Sequence, residues 1–373
     1  MNIKITRNEL LMGINAVGKA VPSRSTMPIL KGILVIAENN EVRLIANNMQ
    51  LGIEVKLEAE VSCSGKFVID AKIFSDIVRK IKDEYIEIEV NEKLSVEIKC
   101  DNLQMKLMGL SANSFPEMPE VGEENTVYIK EGVLNEMIRQ TVFAVSKSEH
   151  LQVISGELVE IKKDKIIMAS TDSYRFALKK QFCENELKED TKAIIPGDSL
   201  VEIGKLLSND SNEEVKVVLE DKHALFIIDN IKVVTRLLDG EYLNHDVVIP
   251  KEYKTKISIN KSNLQEALEL AAVFTQNSGT DVRLNITDDK LKISSNADIG
   301  NIVKEIDIEL EGEDLEIGFN VSYLLEGLKV IDDSEIMICF AGGSSSPAVI
   351  IPNKDIGYEY LVVPVRIRSY NSN

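Results

Sequence analysis

The chain has 373 residues, too many for one ordinary core, so two or three domains of roughly 100–150 residues are expected. With 44% hydrophobic and 28% charged residues and no Trp, it reads as a globular protein with an aliphatic core, which excludes a mainly disordered chain. Its formal net charge of −18 argues against a uniformly basic nucleic-acid binder but leaves room for one basic face on an acidic exterior.

The opening stretch MNIKITRNELLMGINAVGKAV is broken by polar residues every few positions, unlike a secretory signal. No run approaches the roughly 20 apolar residues that span a bilayer, so a cytoplasmic location is expected. From Thr6, TRNELLMGINAVGKAV places apolar residues at i, i+3, i+4 and i+7, the spacing of an amphipathic helix. GILVIAENNEVRLIANN, from Gly32, then reads as two strands around the turn Asn39-Asn40. KFVIDAKIFSDIVRKIK, from Lys66, is a strand running into a second helix with Asp70 at the corner, and the alternating YIEIEV and LSVEIKC follow as strands.

The same series then recurs. Its second copy has a helix from Lys130 (KEGVLNEMIRQTVFAVS), a hairpin from Gly156 (GELVEIKKDKIIMASTD) turning at Lys163-Asp164, and a strand–helix from Lys192 (KAIIPGDSLVEIGKLL) with Pro196 at its corner. Its third has a helix after the N-cap candidate Asn260 (NKSNLQEALELAAVF), a hairpin from Val282 (VRLNITDDKLKISSNAD) turning at Asp288-Asp289, and a strand–helix from Leu315 (LEIGFNVSYLLEGLKVI) with Asn320 at its corner. Leu10, Leu134 and Leu264 occupy equivalent helix positions, as do Leu34, Leu158 and Leu284 in the hairpins. Three element types in one order, at a period of roughly 125 residues, mark a triplicated unit. The expected fold is α+β: three repeated domains, each with two helices packed on antiparallel sheets. Pro, Gly, Asn and charged residues cluster near Val121–Thr126 and Ile249–Lys254, which sets the expected domains at 1–124, 125–250 and 251–373.

No enzyme signature is recognisable. Cys63, Cys100, Cys183 and Cys339 have no CxxC spacing and read as small apolar fillers. His150, His223 and His245 are isolated and read as surface or capping residues, not metal ligands. The glycine-rich AGGSSSP at 341–347 lacks the Lys of a phosphate loop and reads as a turn. The acidic pairs Asp288-Asp289 and Asp332-Asp333 lack the partners of a divalent site. Neither a cofactor, a metal nor a catalytic residue is expected.

Several stretches resemble the bacterial DNA polymerase III β subunit, the sliding clamp, and the resemblance covers almost the whole chain. They are STMPILKGILV (25–35), FPEMPEV (115–121), ASTDSYRFAL (169–178), LLDGEYLNHDVVIP (237–250), LEIGFNVSYLLEGL (315–328) and YLVVPVRI (360–367). TDSYRFAL and the closing VPVRI are the specific pair. The resemblance implies an accessory, non-catalytic replication protein. Two subunits would join head to tail in a six-domain ring around duplex DNA, tethering the polymerase α subunit, the clamp loader and other polymerases and repair proteins through short peptide motifs. It also places Met105 and Leu107 against Val273 and Phe274 of the partner subunit, although from the residues alone these four fit a core equally well.

Charge supports a DNA-facing lining. Arg24, Lys72, Arg79, Lys80 and Lys82 lie around the first repeat's helices among few acids, with Lys147 and Lys205 near later ones, where glutamates bring the balance close to neutral. The same lysines and arginines also fit an ordinary solvated face. The resemblance further implies a peptide pocket formed by Ile154, Thr171, Ser173, Tyr174, Arg175, Phe176, Leu243, Val247, Val248, Asn320, Tyr323, Ser346, Leu361, Val362, Val363, Pro364, Val365, Arg366 and Ile367. Aliphatic side chains would seat the ligand, and Arg175, Arg366, Asn320 and Tyr323 would hydrogen-bond it.

Four features depart from the family pattern. Ser173 stands where Gly is usual and Leu243 where Pro is usual. Asn-Asn-Met-Gln at 47–50 replaces an acidic segment, and Arg368–Asn373 extend past the usual end, where they are expected to shield the pocket or alter partner choice. A triplicated scaffold that binds only proteins is the alternative reading; retention on closed circular DNA would separate the two.

Overall fold

The computed structural model describes residues 1–122, 126–148, 150–185, 187, 189–209, 211–275, 281–297, 300–355 and 357–367. Each repeat runs strand, helix, a group of strands, helix and three further strands, so the triplication seen in the sequence is also a triplication of fold. The first helices are Arg7–Val17, Glu131–Thr141 and Lys261–Thr275; the second are Ala71–Lys80, Gly197–Gly204 and Val321–Lys329. Leu10, Leu134 and Leu264 are all buried, as are Leu34, Leu158 and Leu284, which is why those positions hold the same residue in each copy.

Local chemistry sets the boundaries. Asp70 accepts a hydrogen bond from the Ile73 amide at 2.8 Å, Asn320 from the Ser322 amide at 2.9 Å, and Asn260 from the Asn263 amide at 3.2 Å, so each caps the helix that follows it. Asn39 and Asn40 turn the first hairpin with φ of 51° and 59°, and Asp288 and Asp289 turn the third with 50° and 57°. The middle turn, Lys163-Asp164, stays outside the left-handed region and differs in this from its two counterparts.

The chain forms two compact units, and they do not coincide with the three repeats. The first is built on Met1–Asn135 and Asp198–Leu238, the second on Glu136–Asn185, Glu189–Gly197 and Asp239–Asn373. The middle repeat is shared because its two half-sheets continue different neighbours. Strand Ile231–Arg236 pairs antiparallel with Leu51–Glu58 of the first repeat, Val233 opposite Ile53, within an eight-stranded sheet. Strand Arg175–Phe182 pairs with Tyr358–Val362 of the third repeat, Ala177 opposite Tyr360, within a nine-stranded sheet. Five- and four-stranded sheets complete the first and second unit respectively.

All four thiols are free; Cys100 and Cys339 are buried as apolar fillers, but Cys63 is exposed and fills nothing. Among the described residues no helix is long and apolar enough to cross a membrane.

Candidate functional site

The residues expected to receive a peptide gather on the second unit around the junction of strands Arg175–Phe182 and Tyr358–Val362. A cluster of Leu158, Ile167, Ala169, Phe176, Leu178, Val349 and Leu361 is buried there, with Tyr242, Val248 and Ile249 packed against it. Thr171, Phe176, Leu361 and Val362 therefore form the floor and offer no free surface. Tyr174, Leu243, Val247 and Val363 stand exposed above it, Val247 at 80%, while Ile154, Val248, Tyr323, Ser346, Pro364, Val365 and Ile367 are half-buried. Exposed Val247 and Leu243 beside a buried apolar floor form an apolar patch that costs free energy in water until something covers it.

The TDSYR segment is a self-bonded turn. Thr171 Oγ1 donates to the Arg175 carbonyl at 2.6 Å and accepts from the Ser173 amide at 3.0 Å, while Asp172 Oδ1 accepts from the Tyr174 and Arg175 amides at 3.0 and 3.1 Å. Closing this turn puts Ser173 at φ +79°, the left-handed region that favours glycine. The turn also aims Arg175 inward, where it is 6% exposed. Its Nε donates to Asp172 Oδ2 at 3.0 Å, its Nη1 to Glu326 Oε2 at 2.6 Å and its Nη2 to the Phe143 carbonyl at 3.0 Å. The guanidinium lies 4.6 Å from the Tyr323 ring centroid and 5.3 Å from that of Phe143. Burial works to lower its pKa, but Tyr360 and the Glu326 carboxylate outweigh this and hold it firmly protonated.

Arg175, expected to offer its donors to a ligand, spends three of its five N–H groups inside the protein and braces the site from below. Asn320 is likewise partly spent, since its Oδ1 caps the helix at Val321. Tyr323 stacks on Tyr174 with ring centroids 6.3 Å apart. The closing segment is tied down by the Val363 amide to Tyr174 O and the Val365 amide to Gly318 O, both at 2.9 Å. Arg366 is exposed, so its donors face solvent. Sequence reasoning misses Asp172, Glu326 and Phe143; the only signal for the first is its place in a T-D-S turn. Arg368–Asn373 lie outside the described residues.

The basic residues are placed as a surface set. On the helix Ala71–Lys80 the buried face is Ala71, Phe74 and Val78, which leaves Lys72, Arg79 and Lys80 on the exposed side. Arg24 and Lys82 are exposed in the same unit; Lys147 is exposed in the second; Lys205 is exposed and paired with Glu202 at 2.6 Å. By contrast, a cleft of about 970 Å³ in the first unit is lined by Glu9, Glu41, Glu58, Glu60 and Asp229 against Lys4 and Lys56, a wall that repels phosphate.

Met105 and Leu107 lie half-buried on strand Leu103–Met108, the outermost strand of the five-stranded sheet, beside Met108 at 72% exposure. Val273 is exposed near the end of helix Lys261–Thr275. Phe274 faces Gly300 of strand Gly300–Asp307, the outermost strand of the four-stranded sheet. Each group thus borders an open sheet edge.

Comparison with known proteins agrees with this architecture along the whole chain. Three consecutive family models match: the N-terminal domain of the DNA polymerase III beta subunit over residues 1–119, the central domain over 128–244 and the C-terminal domain over 246–366. The chain belongs to the DNA polymerase III β-subunit family. A beta sliding clamp from Staphylococcus epidermidis is 31% identical over 98% of this chain and 99% of its own length. The sliding clamp structure from Bacillus subtilis superposes with a TM-score of 0.94 at 32% identity over 99% of this chain and 100% of that one. The β subunit from Thermotoga maritima superposes at 0.92 with 26% identity, over 98% and 100%. A β subunit is an accessory processivity factor of DNA polymerase III and not itself catalytic.

Proposed function

We propose that two copies of this sliding clamp close head to tail into a ring around duplex DNA, and that the apolar patch on the second unit tethers the replicative polymerase, the clamp loader and other polymerases and repair proteins through short peptide motifs. The observation that carries the ring is the pair of open edges. Strand Leu103–Met108 ends one sheet of the first unit and strand Gly300–Asp307 ends one sheet of the second, each with exposed apolar side chains. Such edges recruit another chain unless they are blocked, and two different edges on one protomer give a heterologous contact, which closes when the rotation per copy divides a full turn. The threefold recurrence of the strand–helix series supports dividing the chain into domains 1–124, 125–250 and 251–373.

Arg24, Lys72, Arg79, Lys80, Lys82, Lys147 and Lys205 serve as loose phosphate contacts. A ring held on DNA by topology needs no tight grip, since every strong phosphate contact raises the barrier to sliding. An overall charge of −18 keeps the outer surface from binding DNA at random. Protein loaded onto closed circular DNA should stay bound through high-salt washing and be released when the circle is cut; release from both forms alike would leave a protein-only scaffold as the better reading.

A further inference from the structure

We propose that His245, with Tyr242, is a positioning residue for peptide capture: together they pin residues 242–248 onto strand Gly156–Lys162 and so fix where Leu243 and Val247 stand. This rests on the reading of the apolar patch as the peptide-binding surface.

The two anchors are separate. Tyr242 Oη donates to the Gly156 carbonyl at 3.2 Å, and burial raises its pKa, so the hydroxyl stays a neutral donor. His245 is 5% exposed, and its Nε2 lies 3.4 Å from Glu160 Oε2. Gly156 and Glu160 are four residues apart on one strand, so the pins sit about 13 Å from each other. Between and beyond them the chain carries the rim. Leu243 is 50% exposed and Val247 80% exposed, while Val248 packs on the buried floor. Asn244 caps the short helix His245–Val248 by accepting from the Asp246 amide at 3.0 Å.

A buried imidazole is a costly choice where an aromatic hydrocarbon would pack as well, unless its nitrogens are used. Here both face carboxylates. Nε2 faces Glu160, which also accepts Lys162 at 3.0 Å; burial opposes ionisation of Glu160, but Lys162 and His245 together bring its pKa below the usual carboxylate value. Nδ1 lies 3.2 Å from Asp246 Oδ1 but has no aligned hydrogen-bond partner. The other charge nearby is Asp190, which acts on Lys162. The Nε2 contact with Glu160 ties the ring to the strand, so removing the ring nitrogens frees the segment and weakens peptide capture.

The test measures binding of a fluorescein-labelled, acetylated hexapeptide rich in Leu and Phe by anisotropy at pH 7 with the full-length chain. His245→Phe should bind several-fold more weakly than wild type, and His245→Gln, which keeps a side-chain N–H for Glu160, should recover part of the affinity. Val247→Glu, which alters the rim directly, should lose at least tenfold. If Val247→Glu weakens binding while both His245 variants keep the wild-type affinity, the positioning role is wrong and the patch reading stands. Should Val247→Glu bind like wild type, both fall. As a readout independent of folding defects, peptide added to the wild-type chain should shift the NMR resonances of the His245 ring; unshifted resonances overturn the proposal.

Discussion

Ser173 occupies the left-handed region at φ +79° because the Thr171 and Asp172 side chains close their turn there, and a Cβ in that region costs roughly 1–2 kcal/mol. Ser173→Gly relieves this cost and returns about 0.4–1 kcal/mol through a looser unfolded chain, so a net gain of roughly 0.5 kcal/mol and a higher thermal midpoint are expected. A second residue, Glu157, is fully buried beside Thr141. The Thr141 hydroxyl lies within hydrogen-bond distance of both the Met137 carbonyl, at 2.7 Å, and the Glu157 carboxyl. Burial pushes the Glu157 pKa up from 4.5 to about 8, against the opposing Thr141 contact. The unfolded carboxyl ionises above 4.5 while the folded one resists until about 8, so stability is fullest below the lower value and falls as pH rises between them. The loss is on the order of a few kcal/mol, at 1.36 kcal/mol per pKa unit. Glu157→Gln keeps a polar partner for Thr141 without a titrating group. Thermal melts should show it more stable than wild type at pH 8.5, with the gap closing toward pH 5.

At the scale of elements, helices, hairpins and corner caps were legible because each is written in short-range pattern: apolar spacing of 3.6 or 2, Asn-Asn and Asp-Asp turns, and Asp70, Asn260 and Asn320 before helices. Pairing between repeats was not. Strand Ile231–Arg236 meets Leu51–Glu58 through backbone groups that every residue carries, so nothing in either sequence names its partner. The inward turn of Arg175 was hidden for a related reason: an Arg defaults to the surface, and its acceptors Glu326 and Phe143 lie far along the chain. Open edges are an element-scale property with a consequence in solution. Natural sheets block unwanted edge pairing with charge, and strand Leu103–Met108 carries one lysine, Lys106, beside the half-buried Met105 and Leu107 and the exposed Leu103 and Met108. Met105→Glu combined with Leu107→Glu should abolish the dimer. Light scattering should then read a mass near 41.6 kDa in place of twice that value, with the secondary structure seen by circular dichroism unchanged.

Across the whole molecule, a net charge of −18 and a DNA-encircling role are compatible because retention and affinity are different quantities. Affinity depends on how many phosphates meet a cation; retention on closed DNA depends on the ring staying shut. Lys72, Arg79 and Lys80 share the exposed side of one helix, so they can be removed together without touching its buried face of Ala71, Phe74 and Val78. The triple alanine variant should weaken binding to short linear duplex, where no topology helps. The slope of log affinity against log salt should fall by roughly 0.9 for each phosphate that is no longer neutralised. Once loaded onto a closed circle, the same variant should dissociate no faster than wild type, because in the proposed ring opening would depend on the sheet edges and not on these cations. Faster loss from the circle would mean that the three side chains grip the duplex strongly enough to retain the clamp, and that sliding proceeds against them.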